Sequence, residues 1–343
     1  MLGLALLMGA CVAETPPPNP ILEPQTSGTT ALLQAVSVVD ANVVWVSGHQ
    51  ATYARTVDGG TTWEPGTVPG LETLQFRDVH AVDANTAYLL SAGTGDMSRI
   101  YKTTDAGANW TLQFTNTIPT AFFDCMDFFD PDHGLAYSDA VDGRLIVMRT
   151  ADGGANWDPV PPGALPAARG SEGGFAASGT CLVVHGDRTA SIGTGAGDTA
   201  RVLTTTDRGD SWSAVEVPIL SGTATSGITS LVFRDDAHGV AVGGDIRDTV
   251  GYTQNVIATG DGGTTWSVGG PLAFAGAAYG ASFVPGTQAT LVAVGPQGAA
   301  YSLDDGGTWQ GLDTLSYWAV GFADAANGWA VGPEGRITKI RLY

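Results

Sequence analysis

Arginine is scarce in this sequence, and its placement is the first chemical signal. Of 15 basic residues only Lys102 and Lys339 are lysines, against 34 acidic residues and a net charge of −19. A guanidinium presents a planar fork of donors suited to a carboxylate or phosphate. Arg99, Arg144, Arg201, Arg247 and Arg336 recur near one point of a repeating unit, each close to loop aspartates or glutamates. With Asp142, Glu172 and Trp318 they compose a candidate ligand site able to hold a peptide, a carboxylated sugar or a small acid. Paired with their neighbours instead, the same arginines and carboxylates are ordinary loop ion pairs. Asp139, Asp142 and Glu172 are also the carboxylates that could form a glycosidase pair, which needs a separation of roughly 5–10 Å.

Other chemistry is weakly supported. Asp130-Pro-Asp132-His133 and Asp235-Asp236-Ala237-His238 set carboxylates near a histidine, but both occupy the position of Asp83-Ala84-Asn85 and Asp324-Ala325-Ala326-Asn327, which reads as a turn. No histidine has a second at ligand spacing, so neither a metal nor a cofactor is expected. Gly193-Thr194-Gly195-Ala196-Gly197 follows a strand but opens no helix, which argues for an interblade loop over a phosphate cradle. The acidic balance disfavours nucleic acid and anionic lipid as partners.

The elements that must position these residues follow from a repeat. Six times the chain reads Ser or Thr, any residue, Asp, any, Gly, any, a small polar residue and Trp. The pairs are Asp58 with Trp63, Asp105 with Trp110, Asp152 with Trp157, Asp207 with Trp212, Asp261 with Trp266, and Asp304 with Trp309. The carboxylate can accept bonds from backbone N–H groups a residue or two ahead and close a hairpin. The glycine supplies a positive φ, and the tryptophan starts the next strand and buries its ring on the neighbouring repeat. Two further strand signals precede the strand that leads into each motif, for example Phe122–Phe129 and Gly134–Ser138 ahead of Leu145–Thr150 before Asp152. Four short strands per unit predict an all-β propeller. A seventh unit, from Ser316 to Leu342, lacks its fourth strand. The segment Ile21–Gln34 can supply it, giving a seven-bladed propeller whose last blade is closed by the N-terminal strand.

The motif resembles the Asp-box, or BNR repeat, of sialidases and related propellers. Residues 21–343 more closely resemble the bacterial relatives of the photosystem II stability and assembly factor, through units such as Ile228–Gly243 and Tyr317–Gly335. The resemblance implies a propeller that binds a protein, without catalysis. The photosynthetic members offer a client an arginine-rich patch, from which this acidic chain departs. A sialidase-like or other glycoside hydrolase acting at the same mouth is the alternative. The Arg-Ile-Pro of sialidases is absent; Arg336-Ile337-Thr338 is the nearest text.

The chain divides into residues 1–11, 12–20 and 21–343. Met1–Ala10 is uncharged and apolar and precedes Cys11, as in a signal peptide with a lipobox-like end. Cys11 would then carry lipid, followed by a proline-rich linker. This predicts an exported monomer in the periplasm or at the cell surface, membrane-bound only through its anchor, meeting a protein, envelope or carbohydrate partner. No apolar run reaches the roughly 20 residues of a transmembrane helix. Cys125 and Cys181 could form a disulfide or stand as buried thiols.

Overall fold

A computed structural model describes residues 19–343; the signal and lipobox segment with Cys11, and most of the linker, lie outside them. The described chain forms seven four-stranded antiparallel sheets. Their innermost strands contact one another in a closed ring: Leu33–Val38, Phe76–Ala81, Phe123–Phe128, Leu182–Val184, Ser226–Phe233, Gly280–Phe283 and Ala319–Asp324. The seventh sheet takes Ile21–Gln25 as its outer strand, in register Ile21 to Arg341 through Gln25 to Ile337. The first strand therefore seals the last blade, as expected, and the ring keeps no open edge at its seam.

Second strands such as Val44–Gly48, Ala87–Ser91 and Leu291–Gly295 are buried along their whole length, because adjacent blades cover both faces. Outer strands face solvent. The core lies between blades, as where Trp45 and Ala35 of the first pack with Phe76, Val79 and Leu89 of the second.

Each aspartate hairpin uses one bonding scheme. Thr56 Oγ1 donates to Asp58 Oδ1 (2.8 Å) and accepts from the Gly60 N–H (2.9 Å). Asp58 then accepts from Thr62, through its N–H (2.9 Å) and its hydroxyl (2.7 Å). The carboxylate thus reaches four residues ahead, not one or two, which explains the small polar residue at that position. The other five repeat this arrangement. The hydrogen bond from the Ser211 hydroxyl is the main cause holding Asp207 down to about 2. The motif glycine is left-handed, as at Gly209 (φ 92°), and so is the residue before it, Arg208 (φ 64°). Each tryptophan packs on the preceding blade; Trp110 meets Trp45 and Tyr53 edge-on. Trp63 instead donates to Gln25 Oε1 of the closing strand (2.9 Å).

The histidine-containing turns are turns. Asp130 accepts from the N–H groups of Asp132 and His133, and Asp235 from those of Ala237 and His238. In both, the imidazole Nδ1 also bonds to the same carboxylate. The Gly193–Gly197 stretch is not interblade; it opens the hairpin between the second and third strands of the fourth blade.

Candidate functional site at the channel mouth

The interblade connections and the hairpins between second and third strands gather at one end of the ring. There the connection joining the third blade to the fourth, residues 160–181, crosses the channel. Gly173 and Gly195 exchange N–H···O bonds (3.0 and 2.9 Å). On the far side Ser178 Oγ donates to the Tyr279 carbonyl of the sixth blade (2.7 Å). A side chain at Gly173 would strike Asp139 at 2.0 Å, and one at Gly174 would meet the Asp124 carboxyl at 2.9 Å. The crossing segment lies so close to these acids that only glycine fits.

Above it is a cavity of about 250 Å³ lined by Leu32, Gln34, His49, Arg77, Phe175, Ala176, Ala177, Ile246, Tyr279 and Trp318. The Tyr279 and Trp318 rings meet edge-to-face at 5.1 Å. His49 Nε2 bonds to Gln34 Oε1 (2.6 Å). Burial, and then the Arg77 charge, hold His49 below its ordinary value, which disfavours its charged form.

Of the predicted site residues, only Trp318 lines this cavity. Arg201 and Glu172 require correction: they form an internal clamp, with side chains 6% and 0% exposed. Arg201 Nε and Nη2 reach Glu172 at 2.8 and 2.5 Å, and Nη2 also donates to the Ala167 carbonyl. Thr194 Oγ1 and the Arg169 N–H satisfy the remaining carboxylate lone pairs. Arg99 folds back on Asp96, and Arg336 donates to the Ser316 carbonyl (2.6 Å) beside the Tyr317 ring. Asp142 and Arg144 instead border a separate groove with Ile118, Leu145 and Pro162. Arg247 is exposed on its loop.

The proposed glycosidase carboxylates are corrected on the same geometry. Glu172 is sealed in its ion pair, and Asp142 stands at a hairpin tip (φ 50°) away from the cavity. Asp139 neighbours the buried Asp124, and its Oδ1 accepts from the Gly174 N–H (2.9 Å). Two largely buried acids side by side disfavour a second charge, so the pair favours keeping one proton. Burial, then the charge of Asp139, raise Asp124 well above its ordinary value. Burial lifts Asp139 to about 6, against the Gly174 N–H bond that favours its charge. Arg77 was not among the sequence candidates. It lies within the innermost strand Phe76–Ala81, where a charge among channel-lining positions was the available signal.

A stability prediction follows from the acid pair. Because the folded value lies above the unfolded one, the contribution is present below about pH 4 and lost as pH rises through about 6. The cost at neutral pH is on the order of 2–3 kcal/mol. Asp139→Asn keeps an acceptor for Gly174 and supplies a donor to Asp124. Thermal melts should show this variant more stable than wild type at pH 7.5 but not at pH 4. A stability difference independent of pH would remove the retained proton from the account.

Fold and mouth define a closed seven-bladed propeller with a floored channel entrance. No family model matches the chain, and no curated protein matches it. Among solved structures it is similar to YCF48 bound to D1 peptide, at 17% identity and TM-score 0.62, covering 96% of this chain and 98% of that one. It is similar also to YCF48 from Cyanidioschyzon merolae, at 17% identity and TM-score 0.65, covering 93% and 98%. The GH74 enzyme of Niastella koreensis matches at 11% identity and TM-score 0.50, over 88% of this chain and 62% of the enzyme. These likenesses agree with the propeller fold.

Proposed function

We propose that this chain is a non-catalytic, protein-binding propeller with an assembly or stability role, exported to the periplasm or cell surface and anchored through Cys11. The carrying observation is the mouth itself. Its floor is the chain's own segment, Glu172 is sealed in its ion pair with Arg201, and Asp139 is largely buried. What remains is a rigid rim around a shallow recess, suited to docking. The similarity in fold to a YCF48 that binds a D1 peptide supports a protein partner. The Cys125–Cys181 disulfide supports an oxidising compartment.

Site-specific photo-crosslinking in the source cells tests the docking face. A photoreactive residue at position 279, on the mouth, should yield adducts of discrete mass. The same residue at position 61, on the opposite hairpin face, should not. Equal adduct patterns, or none from the mouth, would overturn the reading. Anchoring is tested separately: an alkyne fatty acid should label wild type and leave Cys11→Ser unlabelled.

A further inference from the structure

We propose that the mouth cavity is a site for a small aromatic carboxylate, held by Arg77 and Gln34 against the Tyr279–Trp318 wall. Arg77 is half-buried and lines the cavity, yet forms no ion pair among the described residues. Its Nε and Nη2 donate to Gln75 Oε1 (3.0 and 2.5 Å), which fixes the guanidinium plane and leaves Nη1 without a protein acceptor. The buried Asp124 is the protein acid whose charge acts on Arg77, but it forms no ion pair with it, and the unused Nη1 donor is what a ligand carboxylate completes.

Gln34 is the second, independent observation. It is 3% exposed, and its Oε1 is taken by His49. Its Nε2 has no protein partner among the described residues, although the side chain lines the cavity. That amide N–H opens onto the cavity and is free to meet a ligand acceptor. Arg77 and Gln34 lie on the innermost strands of adjacent blades, at the same end of the ring.

The rest of the wall selects the body that bears the acid. Tyr279 and Trp318 present an edge-to-face aromatic corner, and Phe175, Leu32 and Ile246 add apolar surface. A volume of about 250 Å³ above a closed floor suits a compact ligand. The site does not depend on the protein-partner reading. The same carboxylate chemistry could arrive as a free acid or as the last residue of a polypeptide.

Calorimetric titration of the full chain with 3-phenylpropionate and with 3-phenylpropanamide tests the pocket. The acid should bind at least about tenfold more tightly than the amide, about 1.4 kcal/mol. Arg77→Gln should remove that preference, with its melting temperature confirming a folded protein. If that variant does not fold, Gln34→Leu replaces it, with a tenfold loss expected. An acetylated hexapeptide ending in phenylalanine distinguishes the sources. Binding tenfold tighter than the free acid assigns a chain end, and equal or weaker binding assigns a small acid. Equal affinity for acid and amide in wild type, or unchanged acid binding in the folded variants, overturns the site. Crosslinking from the mouth would survive either result.

Discussion

Arg201→Met should lower the unfolding free energy by about 3–5 kcal/mol, measured by denaturant titration. The substitution removes the cation but leaves Glu172, at 0% side-chain exposure, charged and without its partner. Glu172 would retain only Thr194 Oγ1 and the Arg169 N–H. Those bonds were made to a paired carboxylate, and two neutral donors do not replace a guanidinium. The cycle partner is Glu172→Gln with Arg201→Met, which removes both charges and keeps a bond to Thr194. The double variant should recover a substantial part of the loss, because an unpaired buried charge costs more than the pair contributes. Additive losses, or a single-variant loss below about 1 kcal/mol, would mean that water reaches the carboxylate.

That pair also shows where sequence reasoning stopped. The fold was legible because the aspartate motif recurs with a fixed inner grammar, and each part of it has a bonding reason. Position in the repeat also placed Arg201 and Glu172 correctly at the mouth end of the ring. It could not say which way a guanidinium turns. Arg201 leads a third strand whose neighbours are buried, so its side chain lies along the blade and meets Glu172 from the connection that enters that blade. Arg77 went unnoticed because it belongs to a strand, whereas the candidate arginines were those beside loop carboxylates. The crossing segment had no distinct signature, since the spacing from Asp152 to Asp207 is hardly wider than that from Asp207 to Asp261. Extra length shows only that a loop must go somewhere, whereas the direction depends on the bonds of Gly173 to Gly195 and of Ser178 to Tyr279, on other blades. The cysteine pairing was open for the same reason: it joins neighbouring blades across 56 residues.

Removing that cross-link should have the other large effect. Cys125 is in the innermost strand of the third blade and Cys181 immediately precedes that of the fourth; both are fully buried. A loop of 56 residues corresponds to about 4 kcal/mol of lost chain entropy in the unfolded state. Cys125→Ala with Cys181→Ala should therefore lower stability by about 4 kcal/mol, plus a smaller packing loss from the deleted sulfurs. Reduced wild type separates the two terms, since it loses the bond and keeps the volume. The enclosed loop carries Asp139, Glu172 and the whole channel floor, so its loss should not be uniform. Amide exchange in the reduced protein should accelerate most at residues 173–179, where the segment is held at its ends by Gly195 and Tyr279. If those amides stay protected while the global stability falls, the end contacts suffice to hold the floor. If they exchange freely, the disulfide is what keeps the mouth cavity closed from below, and binding at the mouth should weaken under reducing conditions in step.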